Sequence, residues 1–130
     1  MSWLFIDSSA RGVLRLALLP AQGRIRSRTI RRARVNTPSA LASFFVLAEV
    51  KQASGVCVVA GPGSFSAVRG GVLTANVVAR FLGKPIVGVS VEEAGDLSAL
   101  RRSLVDGTIK PVAYVAPVYD QEPNITKKSA

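Results

Sequence analysis

The chain of 130 residues contains no histidine. Imidazole is the usual general base and metal ligand near neutral pH, so Ser/His/Asp and Cys/His catalysis are excluded, as is any imidazole metal site. One cysteine is present, Cys57, inside the apolar run Gly55–Ala60. It has no intramolecular partner, so no disulfide staples the fold. A reduced, cytoplasmic protein is expected, with Cys57 as a small core residue. Acids are scarce: Asp7, Glu49, Glu92, Glu93, Asp96, Asp106, Asp120 and Glu122 stand against seventeen lysines and arginines, a net charge of +9. Of these only Asp7 ends a convincing strand, and no second carboxylate is evidently placed beside it. Metal-assisted phosphoryl transfer wants two such groups or a phosphate-binding lysine, so no cofactor or metal is expected. Aromatic residues amount to 6%, too few to interleave with basic residues as single-strand RNA readers do when they stack bases. The longest uncharged stretch, Gln52–Val68, contains Gly-Pro-Gly and cannot be a membrane helix. No basic region precedes the first apolar stretch, Trp3–Ile6, so no signal peptide is expected.

What is present is a globular composition, 48% hydrophobic and 19% charged, of a length that suits one domain. The charge is unevenly spread. Residues 11–34 hold eight arginines and no acid. Such a block suits a polyanion, and Arg24, Arg26, Arg28, Arg31 and Arg32 are candidate RNA contacts. A solvated strand face is the equal alternative, because charge runs alone are unspecific.

The apolar pattern gives an element order. Ser2–Ile6 reads as a buried strand with a polar exit at Asp7-Ser8-Ser9. Val13–Leu19, bounded by Gly12 and Pro20, is a second strand, and Arg24–Thr29 alternates with period two as an exposed third strand across a tight turn. A helix follows over Pro38–Val50, with Thr37 as its cap and Leu41, Phe44, Phe45 and Ala48 as its buried stripe. Val46, Leu47 and Val50 lie outside that stripe, so the helix needs cover on a second side. Val56–Ala60 is a β-branched central strand, Ser66–Leu82 a helix, and Pro85–Val89 the last strand. A short helix is predicted within Val91–Leu104, and Pro111–Tyr119 reads as extended. The alternation of the second half implies parallel β-α-β crossovers, hence an α/β fold.

Two local features invite a functional reading. Gly61-Pro-Gly-Ser-Phe-Ser66 is a strand–turn–helix junction that offers backbone N–H groups to an anion. It lacks the lysine of a P-loop and the last glycine of a dinucleotide fingerprint, so a tight turn with glycines for positive φ and close packing is the competing reading. Gly71, Ala75 and Ala79 form a small-residue stripe at i, i+4 and i+8. It either lets a partner helix approach or packs on the chain's own sheet.

The run Gly61-Pro-Gly-Ser-Phe-Ser-Ala-Val-Arg-Gly-Gly71 closely resembles the signature Gly-Pro-Gly-Ser-Phe-Thr-Gly-(Leu/Val)-Arg-x-Gly of the TsaB (YeaZ) family. Leu4-Phe-Ile-Asp-Ser-Ser9 is similar to the family's opening motif, Pro85-Ile-Val-Gly-Val-Ser90 to its Pro-x-x-Gly-Val-Ser strand, and Ala116-Pro-Val-Tyr119 to its terminal motif. Ala67 and Ser66 depart from the family's glycine and threonine, and Asn76 from its frequent lysine or glutamine. The family usually carries a second ribonuclease-H-like half, of which only about residues 91–115 could remain. The resemblance implies a shortened, actin-like (ribonuclease-H-like) half with a mixed five-stranded sheet of order 3-2-1-4-5, a domain over 1–105 and an extended tail over 106–130.

What the resemblance implies for function is a non-catalytic scaffold. It would bind a TsaD-like catalytic subunit and support threonylcarbamoyl transfer to tRNA adenosine. A TsaE-like ATPase is a further candidate partner, and a homodimer through the same helices and contact with tRNA are also in play. Leu41, Phe44, Phe45, Leu47, Gly71, Ala75 and Ala79 are the expected partner interface. Gly61, Pro62, Gly63, Ser64, Phe65 and Arg69 carry the signature loop. The alternatives are an actin-like nucleotide-binding phosphotransferase with Asp7 near the phosphates, and a basic RNA-binding module.

Overall fold

In the computed structural model, residues 2–31 and 36–119 are described. The chain runs β1 (Ser2–Asp7), β2 (Val13–Pro20), β3 (Arg26–Arg31), α1 (Thr37–Phe44), α2 (Leu47–Gln52), β4 (Gly55–Gly61), α3 (Phe65–Leu82), β5 (Ile86–Ser90), one 3-10 turn (Glu93–Gly95) and α4 (Leu97–Asp106). The five strands form one sheet of order β3-β2-β1-β4-β5. β1, β2 and β3 are antiparallel neighbours, while β4 and β5 run parallel to β1.

Both faces of the sheet are covered, which explains why its central strands read as unbroken apolar runs. On one face Leu4, Ile6, Leu16, Val56 and Val58 pack beneath α1, α2 and α3. On the other, Phe5, Ala17, Cys57 and Val87 pack beneath Leu100 and Leu104 of α4. Successive residues of β1 thus enter two separate cores, as the period of two requires. Burial holds the Cys57 thiol far above its ordinary pKa, so it stays protonated core. No described helix is long and apolar enough to cross a membrane.

The helix predicted over Pro38–Val50 is two helices. The cap is Asn36 rather than Thr37: its Oδ1 accepts from Ser39 N at 3.0 Å, which puts Thr37 and Pro38 inside the first turn. α1 ends where Phe45 turns extended and drops its ring into the core, edge-on to Phe44. Val46 is extended too, and its N–H donates to Glu49 Oε1 at 3.0 Å, which starts α2. A buried phenylalanine pair therefore outweighs continuous helix. The short helix predicted within 91–104 is the 3-10 turn and α4, capped by Asp96.

After α4 the chain returns across β5 and α3. Val112 bridges Ile86, Val115 is buried, and Val115 exchanges two hydrogen bonds with the side chain of Asn76. Val118 N donates to Ala60 O, and Tyr119 bridges Gly63. The polar tail expected from Asp120 onward lies outside the described residues.

Candidate functional site

At the carboxyl end of β1 the only buried carboxylate is already engaged among the described residues. Asp7 Oδ1 accepts from Ser9 N at 2.9 Å and from the Ser9 hydroxyl at 2.6 Å, and Oδ2 accepts from Arg15 at 3.1 Å. Arg15 also donates to Ala94 O, tying this end of the sheet to the 3-10 turn. A cleft of about 540 Å³ opens nearby, lined by Ser8, Arg11, Gly12, Thr37, Ser66 and Gly70, with Asp7 outside its lining. The carboxylate that a phosphotransferase would aim at its nucleotide is used as a structural bracket.

The signature loop is closed by the returning chain. Gly61 adopts φ 123°, and a Cβ there would collide with Val118 O, so both its conformation and its contact require glycine. The Gly61–Pro62 peptide is cis. Gly63 packs on the backbone of Ser9. Ser64 stands at the start of α3 without a side-chain capping bond, and Phe65 stacks on Tyr119 at 4.6 Å between ring centroids, with the Arg69 guanidinium 5.6 Å from the Phe65 ring. The opening, loop and terminal motifs therefore meet in one junction. The glycines of the loop serve close packing, and the anion reading gains no support from it.

The small-residue stripe of α3 points inward. Ala75 is fully buried and Ala79 nearly so. Gly71 is buried too: its N–H donates to Ser8 Oγ at 3.0 Å, and a Cβ there would strike that oxygen. Small side chains are what let the helix lie close to β1 and β4. Leu41, Phe44 and Phe45 are likewise core. Of the seven residues expected at the partner interface, only Leu47 stands on the surface, 66% exposed.

The opposite side of α3 carries an apolar row that sequence reasoning did not single out. Leu73, Val77 and Phe81 recur every four residues and are 60%, 58% and 87% exposed. At about 100° per residue they share one side of α3. Val78, one step around, faces a groove of about 330 Å³ whose walls include Leu41, Phe45, Leu47 and Val50. On the other flank Asn76 faces the returning chain. The ridge is thus an apolar strip with a groove beside it, and the exposed Arg80 stands between Val77 and Phe81 in the last turn of the same helix. The spacing 73, 77, 81 was the available signal; it was masked because 71, 75, 79 has the same period.

The arginines divide into two groups. Arg26 donates to Glu49 Oε1 at 2.8 Å and to Phe44 O at 2.9 Å, and its guanidinium lies 4.6 Å from the Phe44 ring. This bond, with that from Val46 N, holds the Glu49 carboxyl down to about 2, and Glu49 raises Arg26 in turn. Arg26 is therefore a tether between β3 and α2. Arg11, Arg24, Arg28 and Arg31 are exposed, and among the described residues none forms a salt bridge. Arg32 lies outside the described residues.

Known proteins share parts of this arrangement. The family model described as TsaD: tRNA N6-adenosine threonylcarbamoyltransferase matches residues 27–113, more than half of the chain. Among solved structures, an uncharacterized protein with similarity to peptidase YEAZ from Pseudomonas aeruginosa superposes with a TM-score of 0.56 at 24% identity, over 68% of this chain and 43% of that one. YeaZ from Pseudomonas aeruginosa gives 0.57 at 23% identity, over 69% and 45%. RuvC of Thermus thermophilus in complex with a Holliday junction substrate gives 0.51 at 13% identity, over 86% and 99%. These likenesses carry the fold, a ribonuclease-H-like half with the sheet order found here. The chain spans less than half the length of either YeaZ structure. No curated protein matches it.

Proposed function

The chain belongs to the TsaD family, named for tRNA N6-adenosine threonylcarbamoyltransferase, and we propose that within that chemistry it is a non-catalytic docking subunit. Its partner would be a larger, TsaD-like catalytic subunit, bound through helices of both proteins. The observation that carries this reading is the ridge Leu73–Val77–Phe81 with its adjoining groove. A soluble chain rarely leaves three large apolar side chains in register on one helix unless something covers them. The exposed Arg80 beside the ridge asks for an acidic residue at the edge of the partner's apolar face.

The non-catalytic part rests on positive commitments of the reactive groups. Asp7 is bracketed by Ser9 and Arg15. The one thiol is buried and held protonated. The sequence contains no histidine to serve as base. A phosphotransferase reading keeps one feature in its favour, the cleft beside Arg11, but has no free buried carboxylate to place in it among the described residues. RuvC's substrate, a Holliday junction, belongs to a protein that shares only the fold.

The test is co-expression with the same cell's TsaD-like subunit, followed by size-exclusion chromatography. The two proteins should co-elute, and Phe81→Asp or Leu73→Asp should separate them while leaving this chain folded. Chromatography of the chain alone reports whether a second copy covers the ridge instead. Co-elution that survives both substitutions would remove the ridge as the docking face.

A further inference from the structure

We infer that the β3 edge of the sheet is a binding site for the sugar–phosphate backbone of a folded RNA, made by Arg11, Arg24, Arg28 and Arg31. The inference rests on the family reading only for the choice of RNA among polyanions; the site itself is read from charge and geometry.

β3 is the outermost strand, and its side chains are exposed except for Ile30, which packs into the core. Strand residues rise about 3.4 Å each, so residues 24 to 31 span roughly 24 Å along this edge. Arg24 lies at one end, in the turn that leads into β3. Arg28 pairs in register with Leu16 at the middle, and Arg31 with Val13 at the other end. Arg11 belongs to the β1–β2 connection just before Val13, so it stands at the Arg31 end.

Among the described residues no carboxylate pairs with these arginines. Among the described residues the two acids on neighbouring elements are spent, Asp7 on Arg15 and Glu49 on Arg26. Glu92, Glu93, Asp96 and Asp106 lie in or beside the 3-10 turn and α4, on the face of the sheet away from Arg28, and none forms a salt bridge with these arginines. Arg28 is partly ordered already, its guanidinium 5.4 Å from the Phe44 ring, which lowers the entropy lost when it meets a phosphate.

The chemistry of the strip favours nucleic acid over the other polyanions. Across the strand from Arg28, Ser27 and Thr29 share the face of Arg31, and their hydroxyls bond phosphate or ribose. No large apolar side chain projects from the strip to enter a bilayer, so a membrane would have only charge to hold it. No ring among the exposed residues of β3 could stack a base, so the contact would follow backbone shape rather than sequence.

The experiment measures binding of a tRNA transcript to the full chain, without a protein partner, by fluorescence anisotropy from 50 to 200 mM salt. Each phosphate that an arginine neutralises adds about 0.7–0.9 to the slope of log affinity against log salt. The double variant Arg28→Ser/Arg31→Ser should therefore flatten that slope by about 1.4–1.8. Arg28→Lys/Arg31→Lys keeps both charges and should keep most of the slope. Arg102→Ser/Lys110→Ser removes the same charge from α4 and beyond it, and should change little. An unchanged slope in the first variant overturns the proposal. So does an equal flattening in the α4 variant, which would mean that net charge alone governs binding. Pelleting with phosphatidylserine vesicles that depends on these arginines, with RNA binding unaffected, overturns it in favour of a membrane. Because docking is assayed without RNA and RNA binding without a partner, either proposal can fail without the other.

Discussion

Helix α3 carries two apolar faces of the same period, and they do opposite things. The inner face is small: Gly71, Ala75 and Ala79 let the helix axis lie close against β1 and β4, with Ser8 Oγ lodged between Gly71 N and Ala67 O. The outer face is large: Leu73, Val77 and Phe81 stand in solvent with a groove at their side. Small residues on a helix mark where something comes near, and here it is the chain's own sheet. Large apolar residues left exposed in register are where the proposed partner would dock.

The largest effect should follow from adding bulk to the inner face. Ala75→Leu overpacks a closed contact and should cost about 1–3 kcal/mol, and Gly71→Leu more, since its Cβ would occupy the place of Ser8 Oγ. In a domain of this size the fall in Tm is roughly 5–10 °C or complete loss of folding. Circular dichroism melts would measure it. A Gly71→Leu protein that melts like the parent would turn the stripe outward and reverse the assignment of the two faces.

Truncating the outer face should do the reverse. Leu73→Ala and Phe81→Ala should alter stability by no more than about 0.5 kcal/mol, because neither side chain is buried. Each should weaken capture of the catalytic subunit, with Phe81→Ala near 2 kcal/mol, roughly thirtyfold in affinity. Titration calorimetry beside the melts separates the two quantities. A loss of Tm with affinity unchanged would place these residues in the core.

The flank of α3 that meets the returning chain gives an intermediate case. Asn76 donates to Val115 O at 2.9 Å and accepts from Val115 N at 2.8 Å. Asn76→Ala leaves both backbone groups without that partner and should cost about 1–3 kcal/mol at most, concentrated in residues 112–119. Limited proteolysis should find cleavage there before the rest of the domain opens. Uniform loss of protection would mean that the segment and the sheet unfold together.

Much of the fold was legible in the sequence, and for physical reasons. The unbroken run Val56–Ala60 announces a strand covered on both faces, and the Arg-x-Arg-x-Arg alternation announces an exposed edge. The glycines of the signature loop fit close packing better than an anion site in sequence, since no phosphate-binding lysine follows them, and Gly61 shows what residue type alone leaves out. The contact that requires it comes from Val118, more than fifty residues away. The break between α1 and α2 is hidden because Leu41, Phe44, Phe45 and Ala48 fit one helical stripe, and only tertiary packing of the Phe44–Phe45 pair makes the kink favourable. Which stripe of α3 faces the sheet is hidden in sequence for a similar reason. Periodicity locates an apolar stripe, but with two stripes on one helix it does not say which meets the sheet.

The smallest expected effect concerns α2, which forms the far wall of the groove beside the outer face. Arg26 ties it to β3 through Glu49, and hydrogen bonding lowers that carboxyl from its ordinary 4.5 to about 2. A carboxylate lowered in the folded state adds stability above its ordinary pKa, and that stability is lost as pH falls from about 4.5 towards 2. Both partners are partly open to solvent, with 45% of the Arg26 side chain and 21% of the Glu49 side chain exposed. The contribution is therefore about 0.5–1 kcal/mol rather than that of a buried pair. Glu49→Gln should melt roughly 2–4 °C below the parent at pH 7 and approach it as the pH is lowered to about 3. Salt should shrink the gap at pH 7, since the pair is near the surface. The inner face of α3 has no part in this bond, so the pH-dependent difference should leave the Ala75→Leu penalty unchanged. A gap that stays constant from pH 7 to 3 would mean that Glu49 holds α2 by its shape and by the bond from Val46 N, with its charge irrelevant.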